Sequence, residues 1–140
     1  MLMIKDHKKS FRSAAYNYIF DQQSGHFARW GKTLDDDPQY SPSPEILDIE
    51  ITSICAGIGN EGVCKFCYKS NTPRGRNMSF ETFKTVLDKF PSTLTQLAFG
   101  ADSKAESNPA LWKMAEYVSK DEIYDKLMHL ADQPMLSTRR

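Results

Sequence analysis

The chain has 140 residues, with 18 Lys plus Arg against 18 Asp plus Glu and three cysteines, a length that builds one hydrophobic core rather than two ordinary domains. The balanced charge excludes a global pull toward nucleic acid or a membrane surface, so nucleic-acid binding would need a local patch and is not expected. No apolar run reaches transmembrane length and residues 1–10 lack the apolar stretch of a signal peptide, so a cytoplasmic setting is expected, where an odd number of cysteines favours metal or redox chemistry over disulfides.

Residues 1–14, carrying Lys5, Lys8, Lys9 and Arg12, read as a solvated arm or a short helix. Tyr16-Asn-Tyr-Ile-Phe20 then alternates, residues 21–25 supply turn formers, and His26-Phe-Ala-Arg-Trp30 follows. That pattern predicts a β-hairpin with Gly25 free to take a positive φ. Its rings, Tyr16, Tyr18, Phe20, Phe27 and Trp30, are good strand formers that would cover one end of the core; as exposed rings they would instead stack on bases. Residues 34–44, LDDDPQYSPSP, read as a linker, because three prolines bias the chain toward extended forms. Asp35, Asp36 and Asp37 are expected to be solvated, with a divalent ion as the alternative.

The run 45–52, EILDIEIT, places Leu47, Ile49 and Ile51 on one face and Asp48, Glu50 and Thr52 on the other, which predicts a strand ending near Thr52. All three cysteines follow it: Cys55, then Cys64 after eight residues rich in glycine, then Cys67 in the tight turn Cys64-Lys-Phe-Cys67. Thiolates are soft ligands for zinc, copper(I) or iron-sulfur clusters. A structural zinc site wants a fourth Cys or His. There is no fourth cysteine, and His7, His26 and His129 are far from the loop in sequence. Three ligands leave a coordination position open, as a catalytic metal requires. Residues 69–76, KSNTPRGR, hold three cations that could meet a carboxylate or phosphate, or form a solvent-facing loop.

Ser79 is the expected N-cap of a helix, with Glu81 in its first turn, Met78 as a staple, and Phe80, Phe83, Val86, Leu87 and Phe90 on one face; Pro91 ends it. Residues 94–99, LTQLAF, read as a second strand, and strand-helix-strand in this order implies parallel strands with Cys55 and Gly100 both past strand C-termini, where α/β sheets and barrels place their chemistry. Asn108 and Pro109 start a further helix with Leu111, Met114, Ala115 and Val118 inward, and Trp112 and Tyr117 as packing residues. Residues 119–122, SKDE, match a capping box for a last helix bearing Ile123, Tyr124, Leu127, His129 and Leu130.

The strand, Cys55-x8-Cys64-x2-Cys67 and the aromatic Tyr68 resemble the cluster-binding loop of the radical SAM superfamily, with a longer first loop than the commonest family spacing. Gly100-Ala101-Asp102 is similar to that family's Gly-Gly-Glu segment, with Ala and Asp where Gly and Glu are usual. The resemblance covers roughly residues 45–118. It implies that Cys55, Cys64 and Cys67 ligate a [4Fe-4S] cluster, and that S-adenosyl-L-methionine (SAM) takes the remaining iron beside Tyr68, Gly100, Ala101 and Asp102. It further implies reductive cleavage of SAM to a 5′-deoxyadenosyl radical that takes a hydrogen from a substrate the sequence does not name. The fold it implies is α/β, the first two βα units of a partial (β/α) barrel, preceded by the N-terminal hairpin. The expected organisation is an arm, hairpin and linker over 1–44, a βαβα core over 45–120, and a C-terminal helix and tail over 121–140. Two units are too few for a barrel, and open sheet edges are poorly protected; a partner chain or self-association is expected to complete it, unless the short form is inactive. The rival readings are a non-catalytic zinc-binding interaction module and a metal-free structural protein with buried thiols.

Overall fold

A turn that the sequence disguises sets the start of the chain. In the computed structural model, which describes residues 1–57, 62–69, 72–99 and 104–118, Asp6 and His7 both take positive φ, 49° and 64°. Two consecutive residues of that kind are the signature of a tight hairpin turn. The arm or short helix expected over 1–14 is therefore a pair of strands, β1 (Leu2–Lys5) and β2 (Lys8–Arg12), in antiparallel register from Leu2 opposite Phe11 to Lys5 opposite Lys8. β2 pairs in turn with β3 (Asn17–Asp21), and β3 with β4 (Phe27–Trp30), giving an antiparallel sheet in the order β1-β2-β3-β4. The hairpin expected from the alternating aromatics is β3 and β4, with Gly25 at φ 71° in its turn.

The protein is mixed α/β. A second sheet of two strands joins β5 (Ile46–Asp48) to β6 (Gln96–Ala98), and two helices are described, α1 (Phe80–Leu87) and α2 (Leu111–Val118). The Glu45 carbonyl accepts from the Thr95 amide at 2.7 Å, and the Ile49 amide donates to the Ala98 carbonyl at 2.9 Å. Pairing thus advances in the same sense along both strands. The chain forms two compact units, one holding Met1–Leu47 and Phe90–Leu97, the other Asp48–Lys89 and Ala98–Tyr117.

In the first unit Tyr16, Tyr18 and Phe20 are buried, the period-two face that the sequence marks. Lys9 lies opposite Phe20 and is fully buried, with its ammonium donating to the Leu94 carbonyl. The Tyr18 hydroxyl donates to the Thr93 carbonyl at 2.8 Å, and burial pushes its pKa up to about 12. The Tyr16 hydroxyl donates to Glu45 Oε1. Polar side chains from the sheet thus donate to both carbonyls of the 93–94 segment, of which Leu94 is fully buried and Thr93 partly so. In the linker, Asp36 folds back to accept from the Lys32 amide at 2.9 Å, and Asp37 faces Arg29 at 3.6 Å, so two of the three acids serve the local turn.

In the second unit Ser79 caps α1 as expected, its hydroxyl accepting from the Thr82 amide at 3.1 Å. Phe83 and Leu87 turn inward with Ile49, Ile51, Leu111 and Met114. Each such side chain contributes about 1.5–3 kcal/mol of burial. Phe83 lies 5.7 Å from Phe99 between ring centres, and Phe80 meets Tyr117 edge-on at 5.4 Å. α2 begins at Leu111, three residues past Asn108, and Trp112, expected to pack, is 64 % exposed. It sits one position past buried Leu111, on the helix face that leaves the core. The last helix expected from residue 119 onward, with His129, lies outside the described residues.

Two stability tests follow from the first unit. A residue bearing a Cβ spends about 1–2 kcal/mol to hold the left-handed conformation, so Asp6→Asn with His7→Gly is expected to raise Tm in thermal denaturation. Burial raises the Glu45 pKa above its ordinary 4.5. The folded chain therefore holds that proton to higher pH than the unfolded chain, and stability falls as pH rises through and past the ordinary value. Glu45→Gln keeps an acceptor for Tyr16 and should raise Tm at pH 7 while leaving it nearly unchanged at pH 4.

Candidate functional site

The cysteine loop stands on a short ladder within the second unit. Before Cys55, the chain from Ile51 onward is matched against the segment 72–78 that returns from the loop. The Met78 amide donates to the Ile51 carbonyl at 2.8 Å, and Thr52 bridges Asn77. The Ser53 amide donates to the Arg76 carbonyl at 2.9 Å, while the Arg76 amide donates to Ser53 Oγ at 2.9 Å. Closest to the thiol, the Cys55 amide donates to the Thr72 carbonyl at 3.0 Å. Thr72-Pro-Arg-Gly75 makes the return tight, with the Gly75 amide on the Thr72 carbonyl at 3.1 Å. Glycine is required at 75 because a Cβ there would overlap the Ser53 carbonyl.

The loop also closes on itself. Gly57 has φ 94°, and a Cβ on it would run into the carbonyl oxygen of Gly62, itself at φ 78°. Two glycines therefore bring the stem after Cys55 against the stem before Cys64, a contact no larger residue allows at 57. The Gly57 amide donates to Cys55 Sγ at 3.3 Å, and the Cys67 amide donates to the Cys64 carbonyl at 3.0 Å, forming the expected turn. Cys55, Cys64 and Cys67 are all free and half-buried.

Three free thiols on one closed loop suit a soft metal or an iron-sulfur cluster by donor chemistry, and an N–H on sulfur is the kind of contact that tunes such a site. Among the described residues, however, no three His, Cys, Asp or Glu side chains are gathered in a metal-holding group. The structure brings the loop ends together without gathering the sulfurs. His7 and His26 belong to the unit with the four-stranded sheet, and no described histidine joins the cysteines in a group of three.

Tyr68 is 83 % exposed, with the Lys69 ammonium 5.9 Å from its ring centre and 3.8 Å from Glu50. Phe66 is as exposed as Tyr68. Between residues 62 and 79 the sequence has four cations, Lys65, Lys69, Arg74 and Arg76, and no acid. Gly100, Ala101 and Asp102 lie outside the described residues. Asn108, which the sequence marks only as a helix start, is buried at 2 % exposure, and its amide reaches the ladder as well as that helix start. An Asn-Pro pair before a helix signals a cap, and no local pattern reports the longer reach.

No protein-family model matches the chain, and no curated protein or solved structure matches it either. Among the described residues no helix is long and apolar enough to cross a membrane.

Loop closure is testable by itself. Gly57→Ala should force the stems apart and change the alkylation rates of Cys55 and Cys64 in metal-free protein, measured by mass spectrometry, while the far-ultraviolet circular dichroism of the folded chain is retained. Gly62→Ala, where a Cβ meets open space, should perturb them less, through its strained φ alone.

Proposed function

We propose that the chain is an iron-sulfur protein of radical SAM type, in which Cys55, Cys64 and Cys67 hold a [4Fe-4S] cluster and S-adenosyl-L-methionine binds beside it. The observation that carries this reading is the ladder between residues 51–55 and 72–78, which closes one loop that holds all three free thiols beyond the C-terminal end of β5. In this reading Tyr68 flanks the SAM site, and Gly100, Ala101 and Asp102 hold its methionyl amine. When bound, a reduced cluster would supply the one electron that breaks the C–S bond of SAM into methionine and a 5′-deoxyadenosyl radical. The chain's own residues bind and orient: the ladder fixes the loop, the Gly57 amide donates to a ligating sulfur, and backbone and cations beyond Tyr68 offer contacts to a carboxylate.

The same reading takes β5, α1, β6 and α2 as the first two strand-helix units of a partial barrel. The like-directed pairing of β5 and β6 supports it, as does the position of Cys55 beyond the C-terminal end of β5. A barrel needs further strands, which a partner chain or a second copy would supply.

Anaerobic reconstitution with ferrous iron and sulfide tests the proposal. The protein should turn brown with broad visible absorption, and Cys55→Ala, Cys64→Ala and Cys67→Ala should each lose it. Calorimetry should then detect SAM binding to the reconstituted form and none to the metal-free form. A colourless protein that instead retains stoichiometric zinc would favour a zinc-binding interaction module.

A further inference from the structure

Asn108 makes more hydrogen bonds than a helix start needs. A cap requires one acceptor, which Ser, Thr or Asp supplies equally well. Asn108 Oδ1 fills that role for the Ala110 amide at 2.9 Å. Both hydrogens of its Nδ2 go elsewhere, to the Ile51 carbonyl at 2.7 Å and the Met78 carbonyl at 2.9 Å. Only a side-chain amide offers two donors and an acceptor in this compass. Asp would turn an oxygen toward two carbonyls, and an aliphatic residue would remove all three contacts, leaving the Ile51 carbonyl with the Met78 amide alone.

The two carbonyls are the two feet of the cysteine loop. Ile51 leads into Cys55, Met78 closes the return segment, and their one direct backbone bond is Met78 N–H to Ile51 C=O at 2.8 Å. A second tie comes from the opposite side, where Asn77 Nδ2 donates to the Ser107 carbonyl at 3.1 Å. Residues 107–108 thus grip both strands of the ladder at its base.

We infer that Asn108 is a positioning residue for the thiol loop, setting the separation of its feet and so the placement of Cys55 relative to Cys64 and Cys67. The inference rests on the reading of that loop as a cluster site, and it places one determinant of the site's geometry more than forty residues downstream of the last ligand.

The test compares Asn108→Ser with Met114→Ala, a truncation of a fully buried side chain in the same unit, at temperatures set equally far below each Tm. Two rates are read: iodoacetamide alkylation of each cysteine in metal-free protein, and iron loss to a chelator after reconstitution. Asn108→Ser should change Cys55 alkylation roughly three-fold through local opening of the ladder. It should also hasten iron loss about ten-fold, as loss of a supporting contact does at metal sites. Met114→Ala should leave both rates near wild type. Asn77→Ala, at an exposed position, should shift both in the same direction by less, and decides the matter if Asn108→Ser does not fold. Equal changes in the Asn108 and Met114 variants, or none in the Asn108 and Asn77 variants, overturn the inference. A wild-type chain that takes up no iron would instead sink the proposed function, and alkylation would still report on Asn108.

Discussion

A loop presents three side chains in a fixed relation only if both of its feet are fixed, and here the feet are one short ladder between residues 51–55 and 72–78. Four backbone bonds join the two segments, Met78 to Ile51, Ser53 to Arg76, Thr72 to Ser53 and Cys55 to Thr72, and a fifth, Gly75 to Thr72, tightens the return segment itself. Each is worth about 0.5–1.5 kcal/mol net. Ladders this short fray unless something buried holds one end. Ile51 and Thr52 are buried at that end, and the hydrophobic cluster of Phe83, Leu87 and Met114 belongs to the same unit. Order in the thiol loop is therefore borrowed from the core, through the strand that precedes it.

The first unit solves a different problem, that of satisfying a buried chain segment without strand pairing. Residues 93–94 present carbonyls that no described strand takes up, and side chains supply the donors: the Tyr18 hydroxyl for Thr93 and the Lys9 ammonium for Leu94. Burying an ammonium is costly unless it is hydrogen-bonded. That cost explains why a lysine at a core position of β2 is tolerated: its stem lies opposite Phe20 while its head reaches a carbonyl that needs it. The raised pKa of Tyr18 has the same origin, since a phenol in a dry site resists giving up its proton.

Much of this was legible in sequence where a local rule acts alone. Alternating aromatics mark β3 and β4, Ser79 marks the start of α1, and the glycines mark where the cysteine loop must turn. The first two strands escaped because their signal is corrupted twice. Lys9 occupies the core position that an apolar residue would announce, and Asp6-His7 makes a turn usually written Asn-Gly. Trp112 was read as packing because hydrophobicity was weighed without phase: one step from Leu111 on a helix is a rotation of about 100°, which takes the ring to solvent. Asn108 was half legible, since its cap is local and its grip on Ile51 and Met78 spans 57 and 30 residues. No pattern of neighbours encodes a contact of that range.

The thiols themselves pose the remaining question of physics. A sulfur ligates a metal as thiolate, and three thiolates at ligand distance repel one another until a cation sits among them. Under the proposed reading, convergence is supplied by ligation, and the chain supplies what ligation cannot. The Gly57–Gly62 contact limits how far Cys55 can stray from Cys64, and the Cys64–Cys67 turn fixes the spacing of the second pair. Lys65, Arg74 and Arg76 are exposed, with no carboxylate partner shown among the described residues, and no acid falls between 62 and 79. The loop that carries the thiols thus gathers cations in sequence, with Lys69 the one of them shown beside a carboxylate, Glu50. A zero net charge for the whole chain conceals this asymmetry, because the balancing acids lie elsewhere, three of them together at Asp35, Asp36 and Asp37.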